Sequence, residues 1–428
     1  MTETPKAPKE TSPKPQNPLL KAWQLLGPGL VTGASDDDPS GIATYSQAGA
    51  QYGLQTLWTA LITFPLMASV QEMCARIGVV TGQGLTGILK KNYPAPILWL
   101  MVLFSFPAIV LNIGADIAGM GAVANLVFPT VPAIAFSAGF TVLLLAAIIA
   151  LPYQRFAAVL KWLCAVLLVY LVVPFLVKTD WPAVAKATFI PHVEWNRDFV
   201  GVLVAILGTT ISPYLFFWQT TMEVETVQHR KIVIDKRYIK DVGFDVDIGM
   251  LFSNIAMFFI ILTTGTVLYS AGIRHIDTVE QAARALQPIA GPGAYYLFAV
   301  GIVGTGFLAI PVLSGSLSYI LSETFGWVEG LDKKLHEAPA FYAVIVVSLL
   351  VGLGINYVGI SPIQALIWSA ILYGLTSPVI IAIVLHISNN KAVMKTYTNG
   401  FWSNLLGVLT FILMTVSAGF LVYYQFKA

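Results

Sequence analysis

Long apolar stretches, separated by short segments that hold Gly, Pro and most of the charge, fill the chain from residue 21 onward. A helix needs roughly 20 apolar residues to cross a hydrocarbon layer of about 30 Å, so this pattern predicts membrane-spanning helices. Eleven spans are expected, at approximately 21–51, 54–80, 94–128, 131–151, 153–177, 198–228, 241–270, 292–323, 339–358, 362–387 and 402–425. Two of them are interrupted. The first span carries Asp36, Asp37, Asp38, Pro39, Ser40 and Gly41 in its middle, and the sixth carries Thr209, Thr210, Ile211, Ser212, Pro213 and Tyr214.

Broken apolar segments at matching positions in two halves point to an inverted-repeat transporter. The expected division is a first five-helix repeat over 21–177, a second, inverted one over 198–387, and an extra span at 402–425. Pro39 and Pro213 each lack a backbone donor, so nearby carbonyls lose their helical partners and are read as cation ligands. Unwound backbone inside a membrane is tolerated only where it lines a cavity or packs on protein, which brings both breaks, Tyr214 included, to one central site. Two ordinary proline kinks would leave the acidic triplet unexplained.

Composition agrees: 57% of residues are hydrophobic and 11% charged, with mean hydropathy +0.76, where a soluble domain carries roughly 25% charged residues. No separate soluble domain is expected. Residues 1–20, rich in Pro and Lys and without the apolar core of a secretory signal, read as a disordered cytoplasmic tail. The formal net charge of +2 gives no reason to expect nucleic acid as a partner. With the N-terminus inside, eighteen of the 24 Lys and Arg fall on the cytoplasmic side and six opposite, which fits an odd span count. An integral protein of a bacterial inner membrane is expected, N-terminus cytoplasmic and C-terminus outside. Cys74 and Cys164 sit in apolar runs without CxxC spacing and read as small core residues.

A carboxylate at the centre of a span costs about 2.5 to 3.5 kcal/mol on insertion scales and is a functional candidate by default. Successive helical residues point about 100° apart, so the triplet shares a ligand only if the helix is unwound there. Asp38, beside Pro39, is expected to contact a cation directly, Asp37 directly or through water, and Asp36 to be a vestibule charge or polar packing residue. Glu72 lies one turn before Arg76 and reads as half of an ion pair, or as a cytoplasmic gate. Glu223 and Glu225 read as solvated vestibule charges, and Asp241, Asp245 and Asp247 as acids suited to a helix N-terminus. None of the five histidines falls at a break, and their scatter fits no metal-ligand spacing. The stripe Phe216, Phe217, Trp218 and the glycines of span eight read as helix packing.

GPGLVTGASDDDPSGIATYSQAGAQYG (27–53) resembles the first helix of the NRAMP (natural resistance-associated macrophage protein) metal transporters, whose hallmark there is DPGN followed by an ATDLQAGAQ-like stretch. ARIGVVTG (75–82) resembles that family's second helix and LFAVGIVGTGFLAIPVLSGSLS (297–318) its eighth. GTTISPY (208–214) falls where the family carries a methionine-proline-histidine motif. The resemblance implies an all-α, LeuT-like fold that carries Mn²⁺ or Fe²⁺ inward, usually with protons.

The departures shift that expectation. Asp38 persists, but Gly41 stands in place of the asparagine ligand, Ser212 of the methionine and Tyr214 of the histidine. Asp carboxylates, the Ser212 hydroxyl, backbone carbonyls and water make an all-oxygen site suited to Mg²⁺, Mn²⁺ or Ca²⁺, with Thr209 among the expected ligand residues. Smaller residues at positions 41 and 212 imply a roomier cavity in which Mg²⁺ keeps several waters, as in the NRAMP-related magnesium transporter branch. Of the proton relay the resemblance implies, Asp116 remains, while Gly119 replaces a glutamate and span nine has no Lys or Arg. Obligatory proton coupling is therefore not expected. The partners expected are a divalent metal ion, Mg²⁺ or Mn²⁺, and the lipid bilayer; the metal is cargo, and no cofactor and no enzymatic activity are expected. A proton-coupled Mn²⁺/Fe²⁺ transporter of the NRAMP family, a carrier of an organic cation on the same fold and, more remotely, an intramembrane enzyme with paired carboxylates are the alternatives, and oligomeric state stays open.

Overall fold

The computed structural model describes residues 27–151 and 169–427, and among them it contains helices and connecting turns but no strand. The 1–20 tail, Cys164 and the start of the fifth span lie outside the described residues. The first span is two helices, Pro28–Asp36 and Pro39–Tyr52, and the sixth is two helices, Arg197–Thr210 and Pro213–Arg230. Both breaks fall at the predicted prolines. Trp58–Thr81, Ala95–Val127, Ala133–Ala150, Lys236–Val267, Ala294–Phe325, Pro339–Ile355, Pro362–Asn389 and Phe401–Lys427 match spans two, three, four and seven to eleven. Of span five, Val169–Leu176 is described.

Seven of the described segments are long and apolar enough to cross a membrane. The first span, with its three aspartates, and Trp58–Thr81 are not among them, and Pro339–Ile355 falls short because it has only 17 residues.

Close packing fixes the first span against the seventh. The helix Pro28–Asp36 lies along Lys236–Val267, and a Cβ on Gly33 would fall 2.1 Å from the Gly249 carbonyl oxygen. Only glycines allow backbones this near. Asp245 completes the contact, its two carboxylate oxygens accepting the N–H groups of Gly27 and Gly29, both at 2.8 Å. The seventh helix itself begins at Lys236, so Asp245 sits beyond its first turn and caps the first span instead. That corrects the expectation of an acid serving its own helix. Asp247 is exposed, and Asp241 is partly exposed.

The remaining packing readings hold. Phe216, Phe217 and Trp218 are buried, as is Cys74, and Gly315 of span eight gives room to the Trp218 ring.

Candidate functional site

Each proline break creates an orphaned carbonyl four residues upstream, and in both a hydroxyl meets it. Pro39 removes the N–H that Ser35 would have received, and the Tyr214 hydroxyl donates to the Ser35 carbonyl at 2.9 Å. Pro213 does the same to Thr209, whose carbonyl accepts from Ser212 Oγ at 2.6 Å, with the Gly208 carbonyl 3.2 Å from the same oxygen. The freed carbonyls of Ser35 and Thr209 thus each accept a hydroxyl and keep a second lone pair. Buried carbonyls are costly to leave unpaired, so the fold fills these from side chains.

Asp38 is the N-cap of the helix that begins at Pro39: its Oδ1 accepts the Gly41 N–H at 2.7 Å. Proline at the first helical position and an aspartate cap are a favoured start, and the negative charge sits at the positive end of the helix dipole. Asp38 Oδ2 accepts from Asn112 Nδ2 at 2.9 Å, and the same nitrogen lies 3.2 Å from Asp116 Oδ2.

Asp36 and Asp37 turn the other way. Ser253 Oγ, on the seventh span, donates to Asp36 Oδ2 at 2.7 Å and stands 3.3 Å from Asp37 Oδ1. Thus the triplet splits, two carboxylates toward span seven and one toward span three. Among the described residues no group of three or more His, Cys, Asp or Glu closes into a metal cage. An ion here would complete its shell with hydroxyls, carbonyls and water.

The electrostatics are one-sided. Asp36, Asp37, Asp38 and Asp116 are all buried, and among the described residues no Lys, Arg or His pairs with any of them. Asp36 Oδ1, Asp37 Oδ2 and Asp116 Oδ1 accept no hydrogen bond there either. Unpaired buried carboxylates are expensive, and a cation offsets that cost.

Gly41 is not the open space that its size implied. A Cβ there would lie 3.3 Å from both the Asp36 carbonyl oxygen and Thr209 Oγ1, and 3.4 Å from the Tyr45 ring. Instead of widening a cavity, the glycine lets the two breaks approach each other, which brings Thr209 Oγ1 up to the first span. Behind Thr209, the Tyr45 and Thr210 hydroxyls meet at 3.0 Å, and Thr210 Oγ1 donates to Met257 Sδ at 3.6 Å.

Toward the other end of the sixth span, Gln219 joins Thr32 Oγ1 at 2.5 Å to Glu223 Oε1 at 2.8 Å. Glu223 is buried in this tie between first and sixth spans, which corrects its reading as a solvated charge. Glu225, two residues on, lines a cavity of about 860 Å³ with Glu323 and Glu329, as a vestibule charge would, and accepts the Tyr319 hydroxyl at 2.5 Å. Glu72 pairs with Arg76 at 3.5 Å, and Arg76 also reaches Asn399. No gate is needed to account for it. His192, His229, His275 and His336 lie in connections or at a helix end, and His386, in the last turn of its span, meets Tyr93 at 2.9 Å.

Sequence reasoning missed Asn112, Ser253 and Ser369. The available signal was a polar residue one helical turn before Asp116, in a run that is otherwise apolar.

Comparison with known proteins gives the family and the fold. The family model described as natural resistance-associated macrophage protein-like matches residues 29–424. A curated relative, the divalent metal cation transporter MntH of Caldanaerobacter subterraneus subsp. tengcongensis, is 23% identical over 96% of this chain and 95% of its own. The MntH of Acidiphilium cryptum is 26% identical over 89% and 84%. Among solved structures, the Eremococcus coleocola manganese transporter, in complex with an aromatic bis-isothiourea substituted compound, superposes with TM-score 0.75 at 18% identity, covering 95% of this chain and 87% of that one. MhsT in complex with L-phenylalanine gives TM-score 0.60 at 12% identity, over 93% and 98%. At these identities the superpositions establish the fold.

Proposed function

The chain belongs to the natural resistance-associated macrophage protein-like family, and from that premise we propose that it is a secondary transporter of hard divalent cations, Mg²⁺ and Mn²⁺, working by alternating access. The observation that carries this reading is the set of four buried carboxylates around two broken helices with no protein counter-charge among the described residues. A divalent ion supplies that charge, and neither an anionic substrate nor an enzymatic nucleophile does.

Asp38 is the direct carboxylate ligand. Its oxygens each accept one hydrogen bond and keep lone pairs for an ion. Ser212 gives its hydrogen to the Thr209 carbonyl, so its oxygen also keeps lone pairs to offer, and Thr209 Oγ1, held near Gly41, is a third oxygen. Asp37 acts directly or through water, while Asp36 is held by Ser253 as a packing charge. The thioether nearest Thr210, that of Met257, already accepts the Thr210 hydroxyl, which supports an oxygen-dominated shell and hence hard ions. Selectivity then rests on retained water rather than on an enlarged cavity, since Gly41 is closely surrounded.

Transport is proposed to proceed without obligatory proton movement. The Tyr214 hydroxyl is engaged by a backbone carbonyl, and the space beside Gly119 is taken by Leu366, so neither position offers a titratable relay. The two five-helix repeats at 21–177 and 198–387, with 402–425 outside them, are proposed to move about this site. Lys and Arg asymmetry supports an N-terminus inside, and the bacterial MntH relatives support a bacterial inner membrane.

Competition in liposomes tests the ion choice. Mg²⁺ in excess should inhibit Mn²⁺ uptake by the reconstituted protein, without metal-dependent acidification of the lumen. Undiminished Mn²⁺ uptake at large Mg²⁺ excess would return the protein to an ordinary transition-metal carrier, and a lumenal pH drop at comparable flux would restore proton coupling.

A further inference from the structure

Asn112 belongs to none of the motifs above, yet it is wholly buried on the third span and its one amide reaches two acids. Ionised carboxylates only accept hydrogen bonds, so the NH₂ end, with two hydrogens, must face Asp38 and Asp116; a flipped amide would set a carbonyl against two acceptors. Ser369 Oγ, from the tenth span, faces Asn112 Oδ1 at 2.8 Å and the Leu366 carbonyl at 2.7 Å, sharing its one hydrogen between them, and so favours that orientation. Ser40 Oγ, beside Asp38, meanwhile serves the Leu366 carbonyl at 3.0 Å and stands 3.1 Å from Ser369 Oγ. First, third and tenth spans are thereby tied at one amide.

Asp38 is consequently held at both oxygens, by the Gly41 N–H and by Asn112. A carboxylate fixed by such neighbours binds without paying to stop its own rotation, and groups that orient a ligand in this way are typically worth about 10- to 100-fold in metal affinity. We propose that Asn112 is a positioning residue for cation binding, which aims the Asp38 carboxylate at the ion, with Ser369 fixing the amide. This rests on the reading of Asp38 as a ligand. Asn112 need not touch the ion.

The test is Mn²⁺ uptake into liposomes by the full-length protein, with KM and maximal rate measured separately. Asn112→Leu, close in size but without donors, should raise KM for Mn²⁺ about 10- to 100-fold with a much smaller change in maximal rate. Asn112→Ser, which restores one donor, should recover part of the loss. Ser369→Ala should raise KM less, and it carries the test if Asn112→Leu fails to elute as folded protein from size exclusion. A parental KM in Asn112→Leu, or in Ser369→Ala where that variant stands in, overturns the inference. So does a fall in maximal rate alone, which is what a merely structural role would give. Asp38→Asn run in parallel separates the two levels. If Asp38→Asn is inactive while the Asn112 variants keep the parental KM, only the inference falls; a parental KM in Asp38→Asn removes the cation reading as well.

Discussion

Tyr214 Oη and the Ser35 carbonyl, separated by 179 residues in sequence, meet at 2.9 Å. Ser35 is the residue whose carbonyl the N–H at position 39 would have met in an unbroken helix, and position 39 is proline. The sixth span thus supplies from a side chain what the first span lost from its backbone. Ser212 repeats the device within its own span, filling the Thr209 carbonyl that Pro213 leaves unpaired.

Tyr214→Phe should therefore destabilise the protein although the ring stays. The Ser35 carbonyl is buried, and leaving such an acceptor unpaired costs about 1 to 3 kcal/mol. A thermal melt in detergent should show a lower midpoint for Tyr214→Phe. An unchanged midpoint would mean that water satisfies Ser35 equally well.

Asp38 has two roles, and two substitutions separate them. Asparagine is a good N-cap, so Asp38→Asn should fold like the parent and lose divalent uptake, whereas Asp38→Ala should lose uptake and, with the cap, about 0.5 to 2 kcal/mol of stability. Uptake and melting midpoint measured on both variants check this. Retained uptake in Asp38→Asn would remove the charge from the argument.

Ser212→Met bears on ion choice. It introduces a soft ligand and removes the hydroxyl from the Thr209 carbonyl, so Mn²⁺ should be favoured over Mg²⁺ relative to the parent, at some cost in stability. The ratio of Mn²⁺ uptake with and without competing Mg²⁺ is the measurement. Equal losses for both ions would mean that only the break was damaged. Gly41→Asn is not a neutral partner for this experiment, because its Cβ would press on Asp36 and Thr209.

Glu329, in the connection after span eight, gives a pH prediction. Burial first, then the neighbouring Glu323 and Glu225 carboxylates, push its pKa from 4.5 up to about 9. The folded protein thus keeps this proton where the unfolded chain releases it. Its contribution to stability is complete below about pH 4.5 and is lost progressively as pH rises toward about 9. Glu329→Gln should match the parent in acid and melt at a higher temperature than the parent in alkali. Parallel melting curves from pH 5 to 9 would contradict the assignment.

Much of this protein was legible without a structure. Apolar runs long enough for a bilayer place the described spans, and Pro39 and Pro213, each beside polar residues, mark the two breaks. Both breaks lie where Pro39 and Pro213 put them, and Asp38 stands at one of them because it directly precedes the proline. What the sequence could not decide is where side chains turn once helices from distant parts of the chain are packed. Asp36 and Asp37 face Ser253 while Asp38 faces Asn112, Asp245 caps a helix some 216 residues away, and Glu223 is buried by a glutamine chain to Thr32. Gly41 reads as empty space on paper and is a contact in the fold, because Thr209 from the other repeat occupies the room beside it. Hydropathy and proline act locally and are written in single residues; hydrogen-bond partners across spans depend on which helices touch, and tertiary packing alone sets that.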